Sequence, residues 1–141
     1  MHRVSRLDLM GVIAAMLVAA QANAQTFTTA AEVKPILTAT KPQWIAVREW
    51  DGQDLVYFTN LLAWRCGVAS VRYSLNGGEA QLLPLEPCHE GTATPNAMLA
   101  EDILPYITQP LGSVQSVTVS VTYDDDSADE ATYDRKSVLM P

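Results

Sequence analysis

A chain of 141 residues is one domain's worth of protein and leaves no room for a second catalytic domain. Its composition, 48% hydrophobic and 18% charged with 7 Gly and 8 Pro, is that of a globular protein and excludes disordered or collagen-like chains. Sixteen acids against nine bases give a net charge of −7, a sign that repels phosphate backbones and anionic membrane surfaces and so argues against nucleic acid as a partner.

Residues 1–24 read as an address. His2, Arg3 and Arg6 precede an uncharged stretch over 9–20, and Ala22-Asn23-Ala24 then forms a small-x-small site ahead of Gln25, the layout of a secretory signal peptide. The apolar run of twelve residues falls short of the roughly 20 that cross a bilayer as a helix. Cleavage after Ala24 is expected, with Ala20-Gln21-Ala22 as a second site, and no cysteine lies near for lipid attachment. The mature domain, 25–141, keeps seven bases and fifteen acids, a net charge of −8. No later run is long enough to span a membrane.

Beyond the leader, Thr29-x-x-Glu32 has capping-box spacing, but Pro35 limits the expected helix to a turn or two. Residues 43–50 and 54–60 are rich in aromatic and β-branched side chains and flank Asp51-Gly52-Gln53, which predicts a hairpin. A second hairpin is expected from 68–75 and 80–85 around Asn76-Gly77-Gly78. Cys66 and Cys88 are the only cysteines, and an isolated pair in an exported protein favours one disulfide. With a three-residue loop, paired residue numbers sum to 154 and Cys66 falls opposite Cys88; a two-residue turn would put them on opposite faces. Pro84 and Pro87 place the second arm at an edge or out of the sheet before Cys88. Such a bond would stabilise the fold by about 3 kcal/mol. A short helix is expected near 96–102. The clearest strand is 115–123, where Val117, Val119, Val121 and Tyr123 alternate with Ser and Thr. After a polar turn at 124–129, residues 130–137 return as its antiparallel partner. Three hairpins in series, with helical turns only in connections, predict an all-β sandwich or open barrel.

Candidate chemistry is sparse. His89 is the only histidine of the mature chain, so any triad, dyad or histidine metal site must use it. Cys66, Cys88, His89 and Glu90 could together offer zinc two thiolates, an imidazole and a carboxylate, but export favours oxidised thiols and the last three are consecutive. Asp124, Asp126 and Asp129, with Asp125 and Glu130, invite a calcium reading, although the spacing lacks the Asp-x-Asp-x-Asp-Gly pattern and a solvated turn explains them as well. Glu86 and Glu90 form one of many possible carboxylate pairs. Trp44, Trp50 and Trp64, with Tyr57, Phe58 and Tyr73, gather the aromatics in one third of the chain; buried, they make a core, and exposed, they stack on sugars or anchor a protein partner. Trp64-Arg65 beside Cys66 is the most suggestive pair. No phosphate-loop, dinucleotide, serine-elbow or zinc-helix motif occurs, and no cofactor is expected.

The segments LVYFTNLLAWRCGVASVRYSLNGG, LEPCHEGTATPNAM, LPYITQPLGSVQSVTVSVTYDD and the ending SVLMP, taken together, resemble a family of small exported bacterial proteins with no assigned function. The resemblance runs from about Val33 to Pro141, and Cys66 and Cys88 look like the family's fixed pair. It implies a stand-alone exported domain and carries no catalytic residues across. The expected function is therefore binding rather than catalysis. One expected partner is an envelope protein, met through sheet edges or a surface of Trp64, Arg65, His89 and Glu90. The alternative is a carbohydrate or cell-wall module using exposed tryptophans, and a hydrolase or metal site centred on His89 ranks last.

Overall fold

The computed structural model describes residues 25–141, so the expected leader and its expected cleavage sites lie outside the described residues. Seven strands form two antiparallel sheets, an all-β arrangement. The first sheet begins with a hairpin of β1 (Ala46–Trp50) and β2 (Gln53–Tyr57). Asp51 and Gly52 both take positive φ, 51° and 73°, which is the backbone of a two-residue hairpin turn. The loop is thus one residue shorter than expected, and α2 (Thr59–Leu62) takes the end of the predicted second arm. A third strand, β5 (Tyr106–Pro110), pairs with β2 and gives the order β1-β2-β5. It was not anticipated, because five residues ending in a proline carry little periodicity of their own. The outer edge of β1 is covered by the chain end: Leu139 bridges Val47, and Met140 N–H donates to the Val47 carbonyl at 2.7 Å.

The second sheet runs β4-β3-β6-β7. Its centre is β6 (Ser116–Tyr123), where Val117, Val119, Val121 and Tyr123 are buried and the intervening Ser and Thr face outward, as the period of two requires. β7 (Ala128–Asp134) begins earlier than expected and ends at Asp134, since Arg135–Val138 forms a helical turn, α3. β3 (Val68–Leu75) and β4 (Gln81–Leu82) pair in the expected register, Arg72 opposite Leu82 and Tyr73 opposite Gln81. The ladder ends almost at once, because Pro84 has no N–H to give it. Cys66 sits in a 3-10 turn over Arg65–Gly67 and Cys88 in irregular chain, and the two are disulfide-bonded. The bond therefore ties the turn before β3 to the segment after β4 and is not a rung of the hairpin.

Both sheets and all three helices share a core that includes Val47 and Val56 from the first sheet, Val71, Val119 and Tyr123 from the second, Val33 and Leu37 from α1 (Ala30–Ala39), Leu61 and Leu62 from α2 and Val138 from α3. At ten residues α1 is longer than the turn or two expected, and Pro35 lies inside it. An interior proline costs a helix about 3 kcal/mol. Complete burial of Val33 and Leu37, at about 1.5–3 kcal/mol each, offsets that. The ends are also fastened. Thr29 Oγ1 accepts from the Glu32 N–H, the Glu32 carboxylate accepts from the Phe27 N–H, and the Trp44 indole donates to the Leu37 carbonyl at 2.8 Å.

The start of α1 approaches the Arg65–Gly67 turn closely enough that only glycine fits at position 67. A Cβ there would lie 2.3 Å from Val33 Cγ2 and 2.6 Å from the Thr29 carbonyl oxygen. Gly67→Ala is expected to lower stability by about 1–3 kcal/mol, measured as a lower urea midpoint with an unchanged slope. A midpoint equal to that of the unaltered protein would mean that the helix is not held against this turn.

Candidate functional site

Arg65 heads the disulfide corner, and it is interior. Its side chain is almost wholly buried, and all five N–H groups are used. Nε donates to the Glu86 carbonyl at 2.6 Å, Nη1 to the carbonyls of Leu62 and Asn96, and Nη2 to those of Pro87 and Ala97 and to the Glu86 carboxylate. Burial pulls the Arg65 pKa down and Glu86 pushes it back, and a guanidinium stays charged throughout. Glu86 is buried as well. Its carboxylate accepts from the N–H groups of Leu99 and Ala100 and faces His89 Nε2. Those two backbone donors, then His89 and Arg65, hold the Glu86 pKa down at about 2 against burial. Here the helix expected near 96–102 fails to form. The N–H groups of Leu99 and Ala100 are drawn to Glu86, and the carbonyls of Asn96 and Ala97 to Arg65, so they are not available for helical bonds.

The corner thus organises residues 83–105, and a groove of about 470 Å³ lies beside it, lined in part by Phe27, Trp64, Thr94 and Asn96. Trp64 is half-buried, edge-on to Phe27 with ring centroids 5.1 Å apart. His89 is half-buried beside Glu86, and Glu90 is exposed. With Cys66 and Cys88 joined, there are no thiolates for zinc. Among the described residues no three His, Cys, Asp or Glu side chains converge as an ion's ligands. The acids of the turn after β6 reach lysines instead: Asp125 pairs with Lys34 at 2.8 Å and Asp129 with Lys41 at 2.6 Å, both on the helix side of the core. Asp124 and Asp126 are exposed.

A second buried ion pair escaped the sequence reading. Asp54 on β2 is fully buried and takes both Nη atoms of Arg135, at 2.5 and 3.0 Å, together with the N–H groups of Gly112 and Val114. Arg135, at the start of α3, also donates to the Val114 carbonyl and to Glu49. The Arg135 hydrogen bonds lead in lowering the Asp54 pKa from 3.8 to about 2.

The open concave surface lies on the other side of the first sheet. Along β1 the side chains of Ala46, Arg48 and Trp50 share the outer face, paired across to Tyr57, Leu55 and Gln53 of β2. Between this face, the preceding turn and α2 runs a groove of about 630 Å³, lined among others by Gln43, Arg48, Tyr57, Thr59, Asn60 and Met140. Trp50 extends the row past the groove and is 57% exposed, whereas Trp44 is completely buried. The Arg48 guanidinium lies over the Trp50 ring, 4.3 Å from its centroid, and Tyr57 packs on Tyr106 at 5.2 Å. The aromatic cluster seen in the sequence therefore divides: Trp44, Phe58 and Tyr73 belong to the core, while Trp50 and Tyr57 face the groove side. Alternation along 46–50 held the signal for this face, since a tryptophan at the exposed phase of a hairpin arm is out of place in a core pattern. The chain matches no known protein family, no curated protein and no solved structure.

Proposed function

We propose that the chain is a binding domain of the cell envelope, exported on residues 1–24, with the groove along β1 and β2 as the face that takes an envelope glycan. The resemblance to small exported bacterial proteins belongs to the same proposal. A disulfide forms and persists in oxidising compartments, which supports export. The observation that carries the ligand face is the exposed Trp50 beside a groove whose mainly apolar lining is interrupted by the polar side chains of Gln43, Thr59 and Asn60 and by Arg48. Planar rings suit the apolar faces of sugars, and the amides of Gln43 and Asn60 and the hydroxyl of Thr59 suit their hydroxyls. Trp64 and Arg65 offer a partner much less, since one is half-buried and the other has no free donor.

The test is co-sedimentation of the mature domain with cell-wall material stripped of protein by protease. The domain is expected to pellet, and Trp50→Ala and Tyr57→Ala to leave most of it in the supernatant. Pelleting that disappears on protease treatment would transfer the ligand to an envelope protein. Failure to pellet with either material would overturn the reading.

A further inference from the structure

We infer that the groove selects a saccharide carrying a carboxylate, with Arg48 as the residue that reads the charge; this rests on the binding role proposed above. Acids outnumber bases by seven in the chain, and the buried Arg65 and the partly buried Arg135 each hold a carboxylate. Arg48 has no acidic partner and no side-chain hydrogen bond among the described residues, although it stands on the same hairpin as Glu49, Asp51 and Asp54. Glu49 is turned to the inner face and donated to by Arg135, so it is not aimed at Arg48.

The Arg48 guanidinium lies over the face of the Trp50 ring, a contact that leaves its N–H groups free. A planar fork with its donors free is matched to a carboxylate, which it can bind through two parallel hydrogen bonds. No carboxylate lines the groove. The rest of the lining is neutral, which fits one charged group on an otherwise hydroxylated ligand. A polyanion such as a nucleic acid would meet the repulsion of the whole acidic surface, whereas a single carboxylate meets a local cation. An exposed ion pair contributes little alone, so Arg48 sets selectivity while Trp50 and Tyr57 supply contact area.

The test uses an aldobiouronic acid, a disaccharide of one uronate and one neutral sugar, and its methyl ester, the same sugar with and without the single charge, titrated into the mature domain with tryptophan emission as the readout. The acid form is expected to quench or shift the exposed Trp50 and to bind about fivefold more tightly than the ester, with the advantage lost in Arg48→Gln and at high salt. Arg72→Gln, on the exposed face of the other sheet, is expected to bind as the unaltered protein does. Equal affinity for acid and ester, or an advantage that survives Arg48→Gln, would overturn the inference, as would absence of binding to both. Cell-wall co-sedimentation then separates the cases: a domain that still pellets keeps its glycan-binding role and loses only the carboxylate preference.

Discussion

Asp54→Ala is expected to lower the stability of the domain by about 3–5 kcal/mol, because it leaves the Arg135 guanidinium partly buried without its counter-charge. The N–H groups of Gly112 and Val114 lose their acceptor in the same step. Asp54→Asn preserves shape and removes the charge, so it separates packing from electrostatics. The pH dependence has a definite sign. The folded Asp54 has its pKa depressed from 3.8 to about 2, so its contribution is complete above the unfolded value and disappears as pH falls through the folded one. That shift corresponds to about 2 kcal/mol, lost between roughly pH 4 and pH 2. Glu86, also depressed to about 2, adds to the same acid limb. Urea midpoints across this range should fall more steeply for the unaltered protein than for Asp54→Asn. Parallel curves would show that the ion pair is not what responds to acid.

Arg65→Met is expected to cost the fold about 3–5 kcal/mol and to loosen residues 83–105 in particular. Five backbone carbonyls, four of them in that segment, and the Glu86 carboxylate would each lose a donor, leaving chiefly the disulfide, the Asn96 side chain on Cys66 and Phe27, and the backbone bonds at Leu83 and Pro105 to hold it. Arg65→Lys should rescue only part of the loss. An ammonium has three donors from one centre and cannot span carbonyls on both sides of a planar fork. Limited proteolysis of the oxidised protein gives the readout, with cleavage confined to 83–105 in the variants and the β6–β7 hairpin left intact. A lysine variant as resistant as the unaltered protein would mean that charge alone orders the segment.

These two side chains also mark where the sequence stops being readable. Hairpins with strong alternation or an Asn-Gly or Asp-Gly turn were legible, because period and turn chemistry are local properties. The disulfide was legible from composition and compartment, and its register was recovered at Arg72 and Tyr73, although Pro84 ends the ladder before the cysteines. Helix α1 was undersized because the cost of Pro35 is local, while the burial of Val33 and Leu37 that offsets it comes from residues far along the chain. The segment 96–102 was misread as helix for the complementary reason, since Arg65 and Glu86 claim its backbone groups from about thirty and thirteen positions away. The groove was half legible. Its aromatics were noticed, but which of them faced outward depended on the strand phase that places Arg48 beside Trp50.

The clasp of Leu139 and Met140 on Val47 bears on how the domain behaves in company. An uncovered strand is a template on which another chain can continue the sheet, and repeated addition leads to fibres. With Leu139 and Met140 set against Val47, the beginning of that edge is already taken. At the far margin of the other sheet, β7 carries Asp129, Glu130 and Asp134, whose like charges discourage two copies from zipping together there. The aromatic groove can then stay uncovered at high concentration with fewer openings for runaway self-assembly, since two of the four sheet edges, at β1 and β7, are guarded.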